Sequence, residues 1–205
     1  MLSFLRRNMN NNIEIEAKVL LTKDQFDKVM KNIIGSKYKD QFIQTNHYID
    51  SPERMLRQQN IALRVRELRG NYTLTLKTPL AEGLLEKNQT LTPSEAYDMI
   101  NYNKFPSGEI KDFLELLDVE TDSLKRLVTL STKRVEANYK TGLLALDENT
   151  YCGKVDYELE MEDSSMAQAK VLVDEILKGL EIDYKFNTVS KQSRAISAVT
   201  ESLKK

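Results

Sequence analysis

Apolar and polar residues alternate with a period of two in one stretch of this chain after another, as in strands with one packed and one polar face. Ile13-Glu14-Ile15-Glu16-Ala17-Lys18-Val19 sets the pattern and predicts a first strand from Ile13. Further strands are predicted over 42–50, 61–67, 72–78, 83–91, 127–137, 142–149 and 155–162, about eight in all. Arg69-Gly70-Asn71 predicts a hairpin turn between the third and fourth. The period changes to that of a helix where Thr22 and Gln25 form a capping box, ahead of Phe26, Val29, Met30, Ile33 and Ile34. Gly35 ends that helix. Thr92-Pro93-Ser94-Glu95 opens a helical insertion near 93–120, Ser165 with Gln168 caps a third helix, and a last one starts near Ser190.

The polar faces of these strands carry charge rather than neutral residues. Glu14, Glu16 and Lys18 form one row, and Arg64 and Arg66 a second. Thr73, Thr75 and Lys77 follow on the return of the hairpin, then Glu86, Asn88 and Thr90, then Arg134 and Glu136. Asp147 falls at the end of its predicted strand. Asp156, Glu158, Glu160 and Glu162 form an unbroken acid row, costly unless cations oppose it. Lys191 and Arg194 stand in the first turn of the last helix, where they oppose its dipole, so they point to a ligand or partner acids. A solvated sheet edge accounts for any one of these rows. Together they fit better facing one another inside a closed barrel, whose interior and exterior side chains alternate. Arginine and lysine suit phosphate oxygens, and hard carboxylate oxygens suit Mg²⁺ or Mn²⁺. A site holding both suits a metal–polyphosphate complex.

Composition narrows the classes. The 205 residues are 30% charged with a net charge of −1, which disfavours a general nucleic-acid binder. Cys152 is the single cysteine, so no disulfide framework is expected, in keeping with a cytoplasmic location. His47, the single histidine, has no partner histidine and is read as a packed or surface residue. No apolar run approaches a membrane span. Residues 1–12 are read as a disordered leader, with Met1 or Met9 as the start, and 13–205 as a single domain.

Glu14-x-Glu16-x-Lys18, Tyr48-x-Asp50, Leu63-Arg-Val-Arg66, Thr75-Leu-Lys77, Arg134, Asp147 and Glu158-x-Glu160, in this order, resemble the CYTH or triphosphate tunnel metalloenzyme superfamily. The resemblance implies an α+β fold, an eight-stranded antiparallel β-barrel or tunnel with flanking helices. It implies cleavage of a small-molecule triphosphate with Mg²⁺ or Mn²⁺. Glu14, Glu16, Asp147, Glu158 and Glu160 match the metal positions, and Lys18, Arg64, Arg66, Lys77, Arg134, Lys191 and Arg194 the phosphate-gripping ones. Lys18, Glu16 and Glu160 are the expected catalytic residues. Leu85-Glu86-Lys87 departs from the Arg-Glu-Glu of many relatives and leaves the role of Glu86 open. The chain is expected to act as a monomer or homodimer, without nucleic-acid polymer or membrane. An adenylyl cyclase of the same superfamily and a non-catalytic polyphosphate-binding module are the alternatives.

Overall fold

The computed structural model describes residues 10–35, 38–81 and 83–202. Nine antiparallel strands run β1 Asn10–Glu14, β2 Glu16–Leu21, β3 Tyr38–Asp50, β4 Ala62–Leu68, β5 Asn71–Pro79, β6 Leu84–Leu91, β7 Lys125–Tyr139, β8 Gly142–Tyr151 and β9 Lys154–Glu162. Their hydrogen-bonded order is β1-β6-β5-β4-β3-β7-β8-β9-β2. β1 and β2, the end strands of that order, are consecutive in the chain with Ile15 alone between them. The helices are α1 Lys23–Val29, α2 Met55–Gln58, α3 Pro93–Tyr102, α4 Glu109–Leu116, α5 Met166–Gly179 and α6 Lys191–Ser202. The class is the expected one, an antiparallel β-barrel fold with flanking helices.

Three details differ from expectation. The single first strand is two, because the ladder partners change at Ile15, so the count is nine rather than eight. Strand structure starts at Asn10, three residues before the expected domain start, and residues 1–9 of the expected leader lie outside the described residues. Asp147 stands inside β8 rather than at its end, because pairing with β9 continues to Tyr151.

The chain divides into two compact units, one of 1–13, 46–80 and 84–129, the other of 14–45, 81–83 and 130–205. In the first, the apolar faces of β4 and β5 (Leu63, Val65, Leu74, Leu76) pack with Ala96, Met99, Ile110 and Leu114 of α3 and α4. Helix α3 forms there because Thr92 and Glu95 cap it reciprocally and Pro93 needs no N–H partner. Asp50, fully buried, accepts backbone N–H bonds from Ser51, Leu56 and Arg57, so this residue of the Tyr48-x-Asp50 pair holds α2 in place.

In the second unit, Ala17, Val19, Val135, Leu144, Leu146, Leu159 and Met161 bury their sheet face under α1 and α5. Gly142 matters to that contact: a Cβ there would lie 2.6 Å from Met161 Sδ and 2.9 Å from the Glu162 carbonyl. Thr22 and Gln25 make the expected capping box, and α1 runs into a wider π-helical stretch, Met30–Ile34, before Gly35. With the apolar face covered, period-two alternation leaves every charged residue of β2, β7, β8 and β9 named above on the opposite face.

Candidate active site

On that opposite face of the second unit, strand register lines polar residues up in rows. Thr132, Asn149 and Asp156 oppose one another across β7, β8 and β9. The next row is Arg134, Asp147 and Glu158. The third runs Glu136, Ala145, Glu160 and Lys18, the last on β2. Asp147 and Glu158 are fully buried and Glu160 nearly so. Isolated charges there would each cost several kcal/mol, so the partners are decisive.

Arg134 presents its fork to Asp147, with Nε to Oδ1 and Nη2 to Oδ2 both at 2.7 Å, and Nη2 also donates to Glu160 Oε2. Burial opposes the guanidinium charge, but Asp147 and Glu160 outweigh it and raise its pKa. Lys18 Nζ donates to Glu16 at 2.5 Å. Burial again opposes its charge, and Glu16 and Glu160 raise the ammonium above its ordinary pKa. Glu160 is held well below the carboxylate range: burial works against its charge, and Lys191, Arg134 and Lys18 overcome that.

The remaining cations come from α6. Asn187 N–H donates to the Lys18 carbonyl at 2.7 Å and Phe186 bridges to Val19, which anchors the segment leading into the helix. Lys191 Nζ then lies 2.9 Å from Asp147 Oδ2 and 2.6 Å from Glu158 Oε2, and donates to Glu160 Oε1. Arg194 gives Nη1 and Nη2 to the two oxygens of Glu158, both at 3.0 Å, and Nε to Asp156 at 2.8 Å. The expectation of partner acids for this helix is met. Ala195, Ile196 and Ala198 of the helix are buried.

Several neutral participants escaped the sequence reading. Asn149 donates to Asp156 and accepts from Thr132, the Tyr151 hydroxyl donates to Asp156 at 2.6 Å, and Asn187 donates to Glu158. Burial and the bond to Asp156 push the Tyr151 phenol up to about 12. Thr132, Asn149 and Asp156 share strand parity with Arg134, Asp147 and Glu158, which is the signal that could have found them.

One oxygen from each of Asp147, Glu158 and Glu160 lies within 4.8 Å of the others. Mg²⁺ sets its ligands roughly 3 Å apart in cis and 4.2 Å in trans, so this donor set fits a hard divalent cation. Among the described residues this is the cluster with such spacing. Glu14 and Glu16 stand outside it, although Glu16 lies near enough to add to the field on Arg134.

The first unit carries the basic hairpin. Arg64, Thr75 and Asn88 form one row and Arg66, Thr73 and Thr90 another across β4, β5 and β6. Lys77 lies opposite Glu86 and pairs with it at 3.0 Å, and Arg64 reaches the same carboxylate at 3.7 Å. Burial opposes the Glu86 charge, but Lys77, Arg64 and a bond from Asn88 bring its pKa down to about 2. Arg66 Nε donates to Asn46 at 3.1 Å, and Arg64 Nε is buried without a hydrogen-bond partner. A cavity of about 540 Å³ opens against Arg66, Thr73, Thr75, Glu86 and Asn88. Lys87 faces away, over the Phe113 ring.

An antiparallel β-fold with a dense face of paired carboxylates and cations defines a class of protein. The CYTH domain family profile matches residues 12–195, and the chain belongs to that family. YjbK of Bacillus subtilis, provisionally named a triphosphatase, is 37% identical over 174 residues, covering 85% of this chain and 90% of YjbK. A Bacillus halodurans structure, provisionally named an adenylate cyclase, is 41% identical with a TM-score of 0.82, covering 90% of this chain and 97% of that one. The Hippeastrum protein HpAC1, provisionally named an adenylyl cyclase and described as having a dominant triphosphatase activity, shares the fold at 23% identity and a TM-score of 0.77; 90% of this chain and 96% of that one are covered.

Proposed function

We propose that this protein is a divalent-metal-dependent triphosphatase, a cytoplasmic acid-anhydride hydrolase acting on inorganic triphosphate or a nucleoside triphosphate. The observation that carries this reading is the buried trio Asp147, Glu158 and Glu160, with oxygens within 4.8 Å of one another and cations on every side. The trio would hold Mg²⁺ or Mn²⁺, with Glu14 and Glu16 as further carboxylates of the set. Such an ion, when bound, neutralises phosphate charge and makes water a nucleophile near neutral pH.

The side chains divide the remaining work. Arg134 donates to both Asp147 and Glu160 and fixes their direction. Glu16 holds Lys18, which with Arg134 and Lys191 in the second unit stabilises charge on phosphoryl oxygens, where losing one donor costs about 2.7–4 kcal/mol of transition-state stabilisation; Arg64, Arg66 and Lys77 are the phosphate-binding positions of the first unit. Arg194 is the exception. Glu158 and Asp156 take all three of its nitrogens, so it orients Glu158 rather than gripping phosphate. The provisional name of YjbK supports the same reaction class.

Phosphate release from inorganic triphosphate, ATP and thiamine triphosphate, with Mg²⁺ or Mn²⁺ and then with chelator, tests the reading. Release that stops with chelator and returns with metal is expected; undiminished hydrolysis in excess chelator rules the mechanism out. Cyclic AMP and pyrophosphate from ATP would mark a cyclase instead, and binding without turnover a binding module.

A further inference from the structure

We infer that the Lys191 ammonium and the divalent cation are alternative occupants of the Asp147–Glu158–Glu160 trio, so that loading the metal expels Lys191. This rests on the metal reading above. An ammonium has three N–H donors. Lys191 faces three carboxylates with them: Asp147 Oδ2 at 2.9 Å, Glu158 Oε2 at 2.6 Å, and Glu160 Oε1.

All six oxygens of the trio have donors. Arg134 serves both oxygens of Asp147 and Oε2 of Glu160. Arg194 serves both oxygens of Glu158, and Lys191 reaches Oε1 of Glu160. A cation bonding these carboxylates at about 2.1 Å therefore competes with the donors already there. Withdrawing Arg194 removes donors from Glu158 but not from Asp147 or Glu160, and withdrawing Arg134 removes donors from Asp147 and Glu160 but not from Glu158. Among the described residues, Lys191 touches all three, so its withdrawal removes a donor from each acid at once.

An ion held by the oxygens that Lys191 now contacts would compete with Nζ for the same place between the three acids. Four rotatable side-chain dihedrals lie between the Lys191 backbone and Nζ, so the ammonium can leave by rotation while α6 stays docked. Once released, it is a mobile positive group beside the metal, available to the anion that arrives with it.

Two measurements on the full-length chain without substrate test the exchange. The first is titration of Mn²⁺ into wild type and Lys191→Met, which keeps the length and loses the charge. Mn²⁺ should bind the variant at least tenfold more tightly. The second follows reductive methylation of Lys191 in the wild type by mass spectrometry, and stands even if the variant fails to fold. Lys191 should be protected without metal and at least fivefold more reactive under saturating Mg²⁺, a change that mere electrostatic repulsion at a distance would not produce. Equal affinities, or a lysine that stays protected under Mg²⁺, overturn the exchange alone. Failure of both proteins to bind Mn²⁺ overturns the metal reading and the exchange with it.

Discussion

The two units build their polar faces alike and balance them oppositely. Each sets polar residues in register across three neighbouring strands, β4, β5 and β6 in one and β7, β8 and β9 in the other. In the first, Arg64, Arg66 and Lys77 share the face with Glu86, and the intervening positions are neutral Thr73, Thr75 and Asn88. In the second, Asp147, Asp156, Glu158 and Glu160 crowd the strands, and two of the balancing cations come from helix α6. A face with surplus cations can wait for an anion in a wet cavity. A buried acid face cannot wait, because unpaired carboxylates cost several kcal/mol each. The sheet therefore supplies the basic face complete, while the acid face needs a helix to finish it.

The sharpest way to break this contrast is Glu160→Gln. It leaves Arg134, Lys18 and Lys191 around a neutral amide and removes one candidate metal ligand. Triphosphate turnover should fall at least 100-fold in a phosphate-release assay, with Mn²⁺ affinity falling alongside it.

Next in size is the acid-stability effect expected at the basic face. Glu86 has a native pKa of about 2 against an ordinary 4.5, so its pairing stabilises the fold above pH 4.5 and is lost as pH falls towards 2. The shift is worth on the order of 3 kcal/mol. Urea unfolding of Glu86→Gln should lack that portion of the pH dependence, and an unchanged slope would show that Lys77 and Arg64 do not hold the carboxylate.

Arg66→Ala should raise KM about tenfold for every triphosphate tested and change kcat less. A change restricted to nucleotides would show that the hairpin senses the base. The smallest effect belongs to His47, bonded to Thr129 at 3.0 Å, with a pKa that burial and then Arg126 lower. His47→Gln should leave kcat/KM within twofold of wild type from pH 6 to 8, which separates the one histidine from both faces.

What could be read from the sequence follows from the range of each signal. Period-two alternation located the rows of Arg64–Arg66 and Asp156–Glu162, and local capping chemistry located α1, α3 and α5, because both act within a few residues. The break at Ile15 has no local signal, since it marks a change of ladder partner. Asp147 was put at a strand end because Asn149-Thr150-Tyr151 lacks apolar alternation, yet pairing with β9 carries the strand on. The fork of Arg134 on Asp147 depends on how β7 and β8 slide along each other, which the turn at 140–141 decides. Thr132, Asn149 and Asn187 carry no charge to draw attention, and the contacts of Lys191 span a long stretch of chain.

That span has a consequence in time. Lys191 lies 31 residues beyond Glu160, and Arg194 lies 36 beyond Glu158. At about 5–20 residues per second, synthesis leaves β9 waiting roughly 2–7 s for the two cations that α6 supplies. Throughout that interval the acids still lacking those partners are cheapest in water, which favours a hydrated polar side in the nascent sheet. Pulse-labelling of ribosome-arrested chains should find this side reaching its final protection last, once the helix has emerged. The face that most needs burial is thereby kept from drying too soon.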